Sequence, residues 1–101
     1  MELINITFDG AATIVDGTFR DVDVGFAKFL KTKPEELIGQ PITDFFPNIP
    51  PSLNTVSEMS LEDAEGRIRY IQLARQSIDN RGYLFAIRDL TLERIEQAER
   101  M

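Results

Sequence analysis

The sequence predicts an α+β domain: a five-stranded antiparallel sheet with short helices on one face. Three observations predict it. The 101 residues fit a single domain. Two short segments of strand character flank an Asp-Gly pair near the start, and three more, separated by turn sequences, fill the stretch from 53 to 90. Between these groups lie short helical segments punctuated by proline and glycine, which places helices beside the sheet. We assign the core to 1–90 and the start of a C-terminal linker helix to 91–101.

The first two strands are predicted at 11–15 and 18–22, on either side of Asp16-Gly17. An Asp-Gly pair between apolar alternating segments is a strong hairpin signal, because glycine takes a positive φ without penalty. Asp9-Gly10 carries the same signal earlier in the chain. The opening residues 1–8 are rich in Leu, Ile and Phe, and fit either a leading strand or a turn of helix.

A first helix is predicted at 24–32, with Asp23 positioned to cap its N-terminus. Its apolar residues fall at i, i+3 and i+4, which places them on one face. These are Phe26, Phe29 and Leu30.

A second, shorter helix is predicted around "PEEL", with Pro34 in its first turn. Thr32 and Glu35 have the spacing of a capping box. "ITDFF" at 42–46 indicates one further turn, and three prolines within 47–53 exclude a long helix there.

The second half predicts a three-stranded meander, with strands at 53–62, 67–78 and 83–90. The turns "DAEG" at 63–66 and "DNRG" at 79–82 separate them. Alternation along the last strand places Phe85 and Ile87 on one face and Leu84 and Ala86 on the other. We expect Ile71 or Leu73 of the neighbouring strand to accompany Leu84 and Ala86 on the outer face.

A charged helix follows the last strand. Thr91 can cap it with its hydroxyl, and Glu93 in the first turn suits the helix dipole. Asp89, at the end of the strand, is placed to accept hydrogen bonds from nearby backbone amides or from an arginine. Leu92 and Ile95 are three residues apart, but eleven residues are too few to establish a coiled coil. We therefore expect the helix to be the beginning of a linker.

Composition excludes several functions. The chain contains no cysteine and no histidine, which removes disulfides, thiol nucleophiles, cysteine-zinc sites, cysteinyl-flavin photochemistry and the commonest haem ligand. A net charge of −6 argues against nucleic-acid binding. No apolar run approaches the ~20 residues of a membrane span. We expect no membrane insertion and a cytoplasmic location, with attachment of a parent protein to a membrane left open.

Four segments together resemble a PAS domain. "FDGAATIVDGTFRDVDVGFAKFL" resembles the family's opening, although Asp23 stands where asparagine is usual. "EDAEGRIRYIQL" resembles the glycine turn between the middle strands, and "RDLTLERIEQAE" resembles the closing Asp-hydrophobic-Thr signature. "KPEELIGQPITDFFP" matches a longer run in register at Glu36, Leu37, Ile38, Gly39, Pro41, Asp44, Phe46 and Pro47.

The resemblance implies a sensory and dimerisation module of a bacterial-type signalling protein, acting on a C-terminal effector such as a histidine kinase or a cyclic-dinucleotide enzyme. Asp89, Leu90 and Thr91 would couple the last strand to the outgoing helix. Leu84 and Ala86 would face a second subunit or the chain's own first residues, and Leu92 and Ile95 would belong to the dimer or linker contact. The residues expected to fill the core or line a ligand pocket are Ile14, Phe26, Phe29, Leu37, Phe45, Phe46, Tyr70, Phe85 and Ile87.

No cofactor is expected, since the family's haem and flavin branches depend on a histidine or a cysteine; a small metabolite stays open. Two other functions are also open. One is a ligand-free docking module with a filled core. The other is a small α+β enzyme that uses an acid such as Asp44 as its base.

Overall fold

Five strands form one antiparallel sheet in the order β2-β1-β5-β4-β3. A computed structural model of the chain describes residues 8–47, 49, 55–63 and 65–99. The strands are β1 (Gly10–Val15), β2 (Thr18–Val22), β3 (Thr55–Glu62), β4 (Ile68–Ser77) and β5 (Gly82–Asp89). The helices are α1 (Val24–Phe29), α2 (Pro34–Leu37), a 3-10 helix (Ile42–Asp44) and α3 (Thr91–Glu99). The predicted fold class is thereby confirmed, and the bounds of four of the five strands agree with prediction to within one residue.

The β1–β2 hairpin turns at Asp16-Gly17, as predicted. Both residues have positive φ, 51° and 78°, and Val15 pairs with Thr18 across the two-residue turn. This is the combination that suits the twist of a tight hairpin. Asp9-Gly10 forms no hairpin, because Gly10 is the first residue of β1 and pairs with Ile87 of β5. The predictions for 1–8, apart from Phe8, lie outside the described residues.

The helix predicted at 24–32 ends at Phe29, three residues early. Asp23 caps its start, accepting a hydrogen bond from the Phe26 N–H at 2.8 Å. At its end Lys31 takes a left-handed φ of 59°, and the Thr32 N–H returns to the Ala27 carbonyl. That turn closes the helix before 32.

The predicted capping box in front of α2 is wrong. Lys33 occupies the N-cap position and its side chain makes no capping bond. Thr32 instead donates its hydroxyl hydrogen to the carboxylate of Glu36. Proline at the first helical position fixes the start of this helix, since its missing N–H has no partner to lose there.

The inner face of the sheet packs against α1, α2 and the 3-10 helix. Phe85 and Ile87 point into this core together with Ile71 and Leu73, and all four are at most 1% exposed. The expectation that Ile71 or Leu73 lies on the outer face is therefore wrong: Leu73 pairs directly with Ile87, and residues paired across strands share a face. Alternation then places Tyr70 on the outer face at 40% exposure, so its assignment to the core is wrong too.

Candidate functional site

The turn between β5 and α3, residues Asp89, Leu90 and Thr91, is the candidate coupling site; we call it the corner. The Asp89 carboxylate accepts a hydrogen bond from the Thr91 N–H at 2.9 Å. The Leu90 N–H donates to the Tyr70 carbonyl of β4 at 2.7 Å, and the Leu90 side chain is buried. The Leu90 carbonyl in turn accepts from Arg94 N–H, the first helical bond of α3. The predicted acceptor role of Asp89 is therefore present.

The hydroxyl of Thr91 does not cap α3, and that prediction is wrong. Its oxygen accepts the Tyr70 backbone N–H at 3.0 Å and the Arg69 Nε–H at 3.3 Å. Tyr70 thus donates to Thr91 and accepts from Leu90, which continues the β4–β5 ladder past the end of β5. The helix N-terminus is satisfied instead by the carboxylate of Asp89, the residue type that helix starts prefer.

Arg69 is the functional residue that the sequence reasoning missed. Its guanidinium forms an ion pair with the Asp89 carboxylate and lies 3.8 Å from that of Asp63. It also stacks over the ring of Phe29, 5.8 Å from the centroid. No local signal identified it, because both parities of β4 contain apolar residues. Only pairing with β5 shows that Arg69 shares the inward face with Ile71, where a charged side chain requires a partner.

The electrostatics of the corner favour an ionised Asp89. Burial alone would raise the pKa of this carboxyl group. Hydrogen bonds from Thr91 and Arg69, together with the positive charge of Arg69, outweigh burial and hold the pKa below its ordinary value of 3.8. Asp89 therefore stays charged at neutral pH, which keeps its bonds to the start of α3 and to Arg69 in place.

A cavity of about 280 Å³ lies beside Arg69, between the helices and the β3–β4 end of the sheet. Phe29 and Phe45, two residues of the predicted pocket set, contribute to its wall. Asp44 lies exposed at its edge, and a solvated carboxylate is not the environment of a general base. The described residues that line it are Phe29, Leu30, Lys31, Asp44, Phe45, Leu61, Glu62, Asp63 and Arg69.

Apart from Tyr70, the remaining members of the predicted pocket set fill the core. Phe85 packs against Phe46 and Phe26 at centroid distances of 5.1 and 5.7 Å, and Phe26 lies 6.0 Å from Phe46. Rings at these separations leave no space for a ligand among them. Ile14, Phe26, Leu37, Phe46, Phe85 and Ile87 are all at most 1% exposed.

The outer face carries the predicted dimer and linker residues. Leu84 is half-buried there, while Ala86 and its cross-strand partner Ala74 are buried. Leu92 and Ile95 of α3 are 68% and 48% exposed, and together with the exposed Ile68 they border a surface groove of about 500 Å³.

α3 is attached to the same face by charged side chains. Arg94 pairs with Glu58 of β3 and lies over the ring of Tyr70, 6.0 Å from its centroid. Arg88 pairs with Glu93 at 2.7 Å. α3 therefore contacts the opposite side of the sheet from α1.

The described part of the chain contains neither a metal-binding cluster nor a membrane-spanning helix. The carboxylates of Glu62, Asp63 and Glu65, close together in sequence, form no group able to hold a metal ion as far as the structure describes them. Among the described helices, none is both long and apolar enough to cross a membrane.

Solved structures similar to this chain include three PAS domains. The PAS domain of a LuxR-family transcriptional regulator from Burkholderia thailandensis, in complex with ethanol, aligns with a TM-score of 0.65 at 15% identity, covering 80% of this chain and 88% of that one. A PAS domain from a two-component sensor histidine kinase gives 0.59 at 16%, covering 86% and 89%. A PAS domain of an HTR-like protein from Haloarcula marismortui gives 0.57 at 20%, covering 86% and 90%. No family model and no curated protein matches the sequence. The chain has the PAS fold, as its sequence predicted.

Proposed function

We propose that this chain is a sensory and dimerisation module that regulates a C-terminal effector, a histidine kinase or a cyclic-dinucleotide enzyme, through the helix after Asp89-Leu90-Thr91. The solved structures with the same fold include domains of a sensor histidine kinase and of a transcriptional regulator, which supports a regulatory rather than a catalytic role. Because fold alone does not establish function, the proposal depends on the corner. In this view 1–90 is the sensing core and α3 begins the linker.

One observation carries the proposal: Arg69 lines the cavity and also bonds to the corner. Its side chain lines the cavity beside Phe29, and its guanidinium bonds to Asp89 and Thr91. A ligand in the cavity, or a partner pressed against it, changes the space available to Arg69. Because Thr91 is also the first residue of α3, a displaced Arg69 alters the start of the helix. The signal thus passes from the cavity to the effector through one side chain.

The ligand itself is proposed to be small. Ligand pockets usually measure about 300–1,000 Å³, and the cavity, at about 280 Å³, is just below that range. The regulator domain from Burkholderia thailandensis was solved with ethanol, a molecule of suitable size. A large cofactor does not fit this volume, and a small metabolite with an apolar part suits walls formed by Phe29, Phe45 and Leu61.

The coupling is tested by signalling output in the protein that carries this domain with its effector. Arg69→Met keeps an unbranched apolar stem and removes the guanidinium with its hydrogen bonds, and Arg20→Met is the matched control because Arg20 is exposed on β2, away from the cavity and the corner. We expect Arg69→Met and Thr91→Val to change the output, the control to leave it unchanged, and all three proteins to melt cooperatively. Wild-type output in both Arg69→Met and Thr91→Val would refute the coupling.

A ligand-free docking module is the alternative, favoured by the packed aromatic cluster in the core. Native mass spectrometry of gently purified protein, followed by a denaturing spectrum of the same sample, separates the two. An extra mass that is released on denaturation supports the sensor. If the measured mass is that of the polypeptide alone, both as purified and after incubation with small alcohols, the docking module is supported.

The second copy of the proposed homodimer would contact the exposed apolar residues of α3 and β4. Leu92, Ile95 and Ile68 form a patch next to the groove that Arg67 borders. Glu96 lies on the same side of α3 as Leu92 by helical spacing, so a two-fold arrangement can pair it with Arg67 of the other copy. Sedimentation of the Leu92→Glu variant measures whether the dimer is lost. Ile78→Glu is the control, because it places the same charge on an exposed turn. Loss of dimer only in Leu92→Glu supports the interface, and equal dimer content in both variants contradicts it.

The cytoplasmic location of the protein stays a prediction.

A further inference from the structure

Asp9, directly before β1, has a backbone that is fixed on two sides. Its N–H donates to the Ile87 carbonyl of β5 at 2.8 Å. The first turn of α1 packs against it so closely that a Cβ on Gly25 would lie 2.0 Å from the Asp9 carbonyl oxygen. A Cβ on Gly10 would lie 2.1 Å from the Phe26 nitrogen. Neither glycine leaves room for a side chain, so the Asp9 backbone is in direct contact with the start of α1.

The side chain of Asp9 reaches the corner. Its Oδ2 accepts the Asp89 backbone N–H at 2.7 Å, across 80 residues of sequence. The bond is short and has a carboxylate acceptor, which makes it stronger than a bond between neutral groups. Asp89 is therefore fixed through its backbone and its side chain. Its N–H donates to the Asp9 carboxylate, and its own carboxylate accepts from the Thr91 N–H and pairs with Arg69.

We propose that Asp9 is a positioning residue of the corner and gives it a second input. A displacement of the segment before β1, or of the first turn of α1, moves the Asp9 carboxylate and with it Asp89, without passing through the cavity or Arg69. The proposal builds on the output role proposed for the corner. It adds that a partner or domain acting on the N-terminal side of the core alters the start of α3 directly.

The test is backbone amide hydrogen exchange of the 101-residue chain, read by NMR at Asp89 and in α3. Asp9→Ala removes the acceptor, while Asp9→Asn retains an oxygen that can accept. Asp21→Ala is the control, since Asp21 is exposed on β2. We expect Asp9→Ala to accelerate exchange at Asp89 and in α3 about tenfold, the factor that corresponds to a hydrogen bond with a charged partner. Asp9→Asn should recover part of the protection, and Asp21→Ala should match the wild type.

A double-mutant cycle with Arg69→Met establishes whether the input is separate. If Asp9 acts on its own, Asp9→Ala accelerates Asp89 exchange by a similar factor with and without Arg69. An effect of Asp9→Ala that disappears in the Arg69→Met background overturns the second input. So does unchanged exchange at Asp89 in Asp9→Ala, or acceleration spread equally over β3 and β4.

The readout keeps this inference distinct from the proposed function. Exchange at Asp89 reports the geometry of the corner in the isolated domain and requires no effector. If Asp9→Ala is too unstable to study, Asp9→Leu, which keeps a similar branched shape and also lacks an acceptor, and its cycle with Arg69→Met decide the question by the same criteria. If Arg69→Met leaves signalling unchanged while Asp9→Ala releases Asp89, the route through the cavity fails and the Asp9 contact stands.

Discussion

Replacing Thr91 by valine should release the end of the β4–β5 ladder. Valine has nearly the shape of threonine and lacks the hydroxyl, so the substitution removes the acceptor of the Tyr70 N–H at 3.0 Å and of the Arg69 Nε–H at 3.3 Å. The first bond contributes about 1 kcal/mol, and the second adds less than a usual charged bond because it is long, so the total is about 1–2 kcal/mol. That corresponds to a factor of roughly 5–30 in the local equilibrium.

The Tyr70 amide is the direct probe, because the lost hydroxyl is its acceptor. Hydrogen exchange at Tyr70 should accelerate by that factor in Thr91→Val, while amides of β1 keep their protection. Thr91→Ser is the matched control: it retains the oxygen and should leave Tyr70 close to wild type. The reasoning is refuted if Tyr70 exchange changes by less than about twofold in Thr91→Val, or if Thr91→Ser accelerates it equally.

Three further predictions follow from burial and charge. Because the folded-state pKa of Asp89 is lowered, its contribution to the free energy of unfolding is complete above the pKa of the unfolded chain and is lost as pH falls through the folded pKa. The NMR chemical shift of the Thr91 amide should therefore titrate with a midpoint below 3.8, and a midpoint at or above 3.8 contradicts the ion pair. Phe85→Ala removes a fully buried ring and should lower the free energy of unfolding, measured in urea, by about 3–5 kcal/mol. Ile78→Ala, on an exposed turn, should lower it by less than about 0.5 kcal/mol, and similar losses in both variants would contradict the packing of the core. Arg94→Glu should accelerate exchange in α3 a fewfold, and the swapped pair Arg94→Glu with Glu58→Arg should restore it if their ion pair holds the helix.

Strand positions were the most predictable part of the fold, because they depend on local signals. Asp16-Gly17 specifies a hairpin through backbone conformation alone, and alternation identifies β5 from its own residues. The face to which β4 turns was not predictable in this way. Both parities of "IRYIQLAR" contain apolar residues, and only pairing with β5 places Ile71 and Leu73 inside and Tyr70 outside.

The corner was predictable in its residues and only partly in its bonds. The Asp-Leu-Thr signature identified Asp89 and Thr91, and the acceptor role of Asp89 follows from its place before a helix. Arg69 and Asp9 lie 20 and 80 residues away from Asp89, and contacts at such separations depend on strand order rather than on local sequence. The direction of the Thr91 hydroxyl depends equally on β4, which offers it a free N–H at the right register.

The Thr91 hydroxyl also affects how quickly the corner can respond. A ladder bond between two main chains breaks only when the strands separate, which is slow and costs neighbouring bonds. A bond to a side-chain oxygen can be broken by rotation about the single Cα–Cβ bond, and rotamer changes of that kind take picoseconds to nanoseconds where a side chain has room. The Tyr70–Thr91 bond can therefore open and close while the Leu90–Tyr70 bond beside it stays intact. The last hydrogen bond of this sheet can thus break by rotation of one side chain, and the start of α3 can lose one of its attachments without any strand leaving its neighbour.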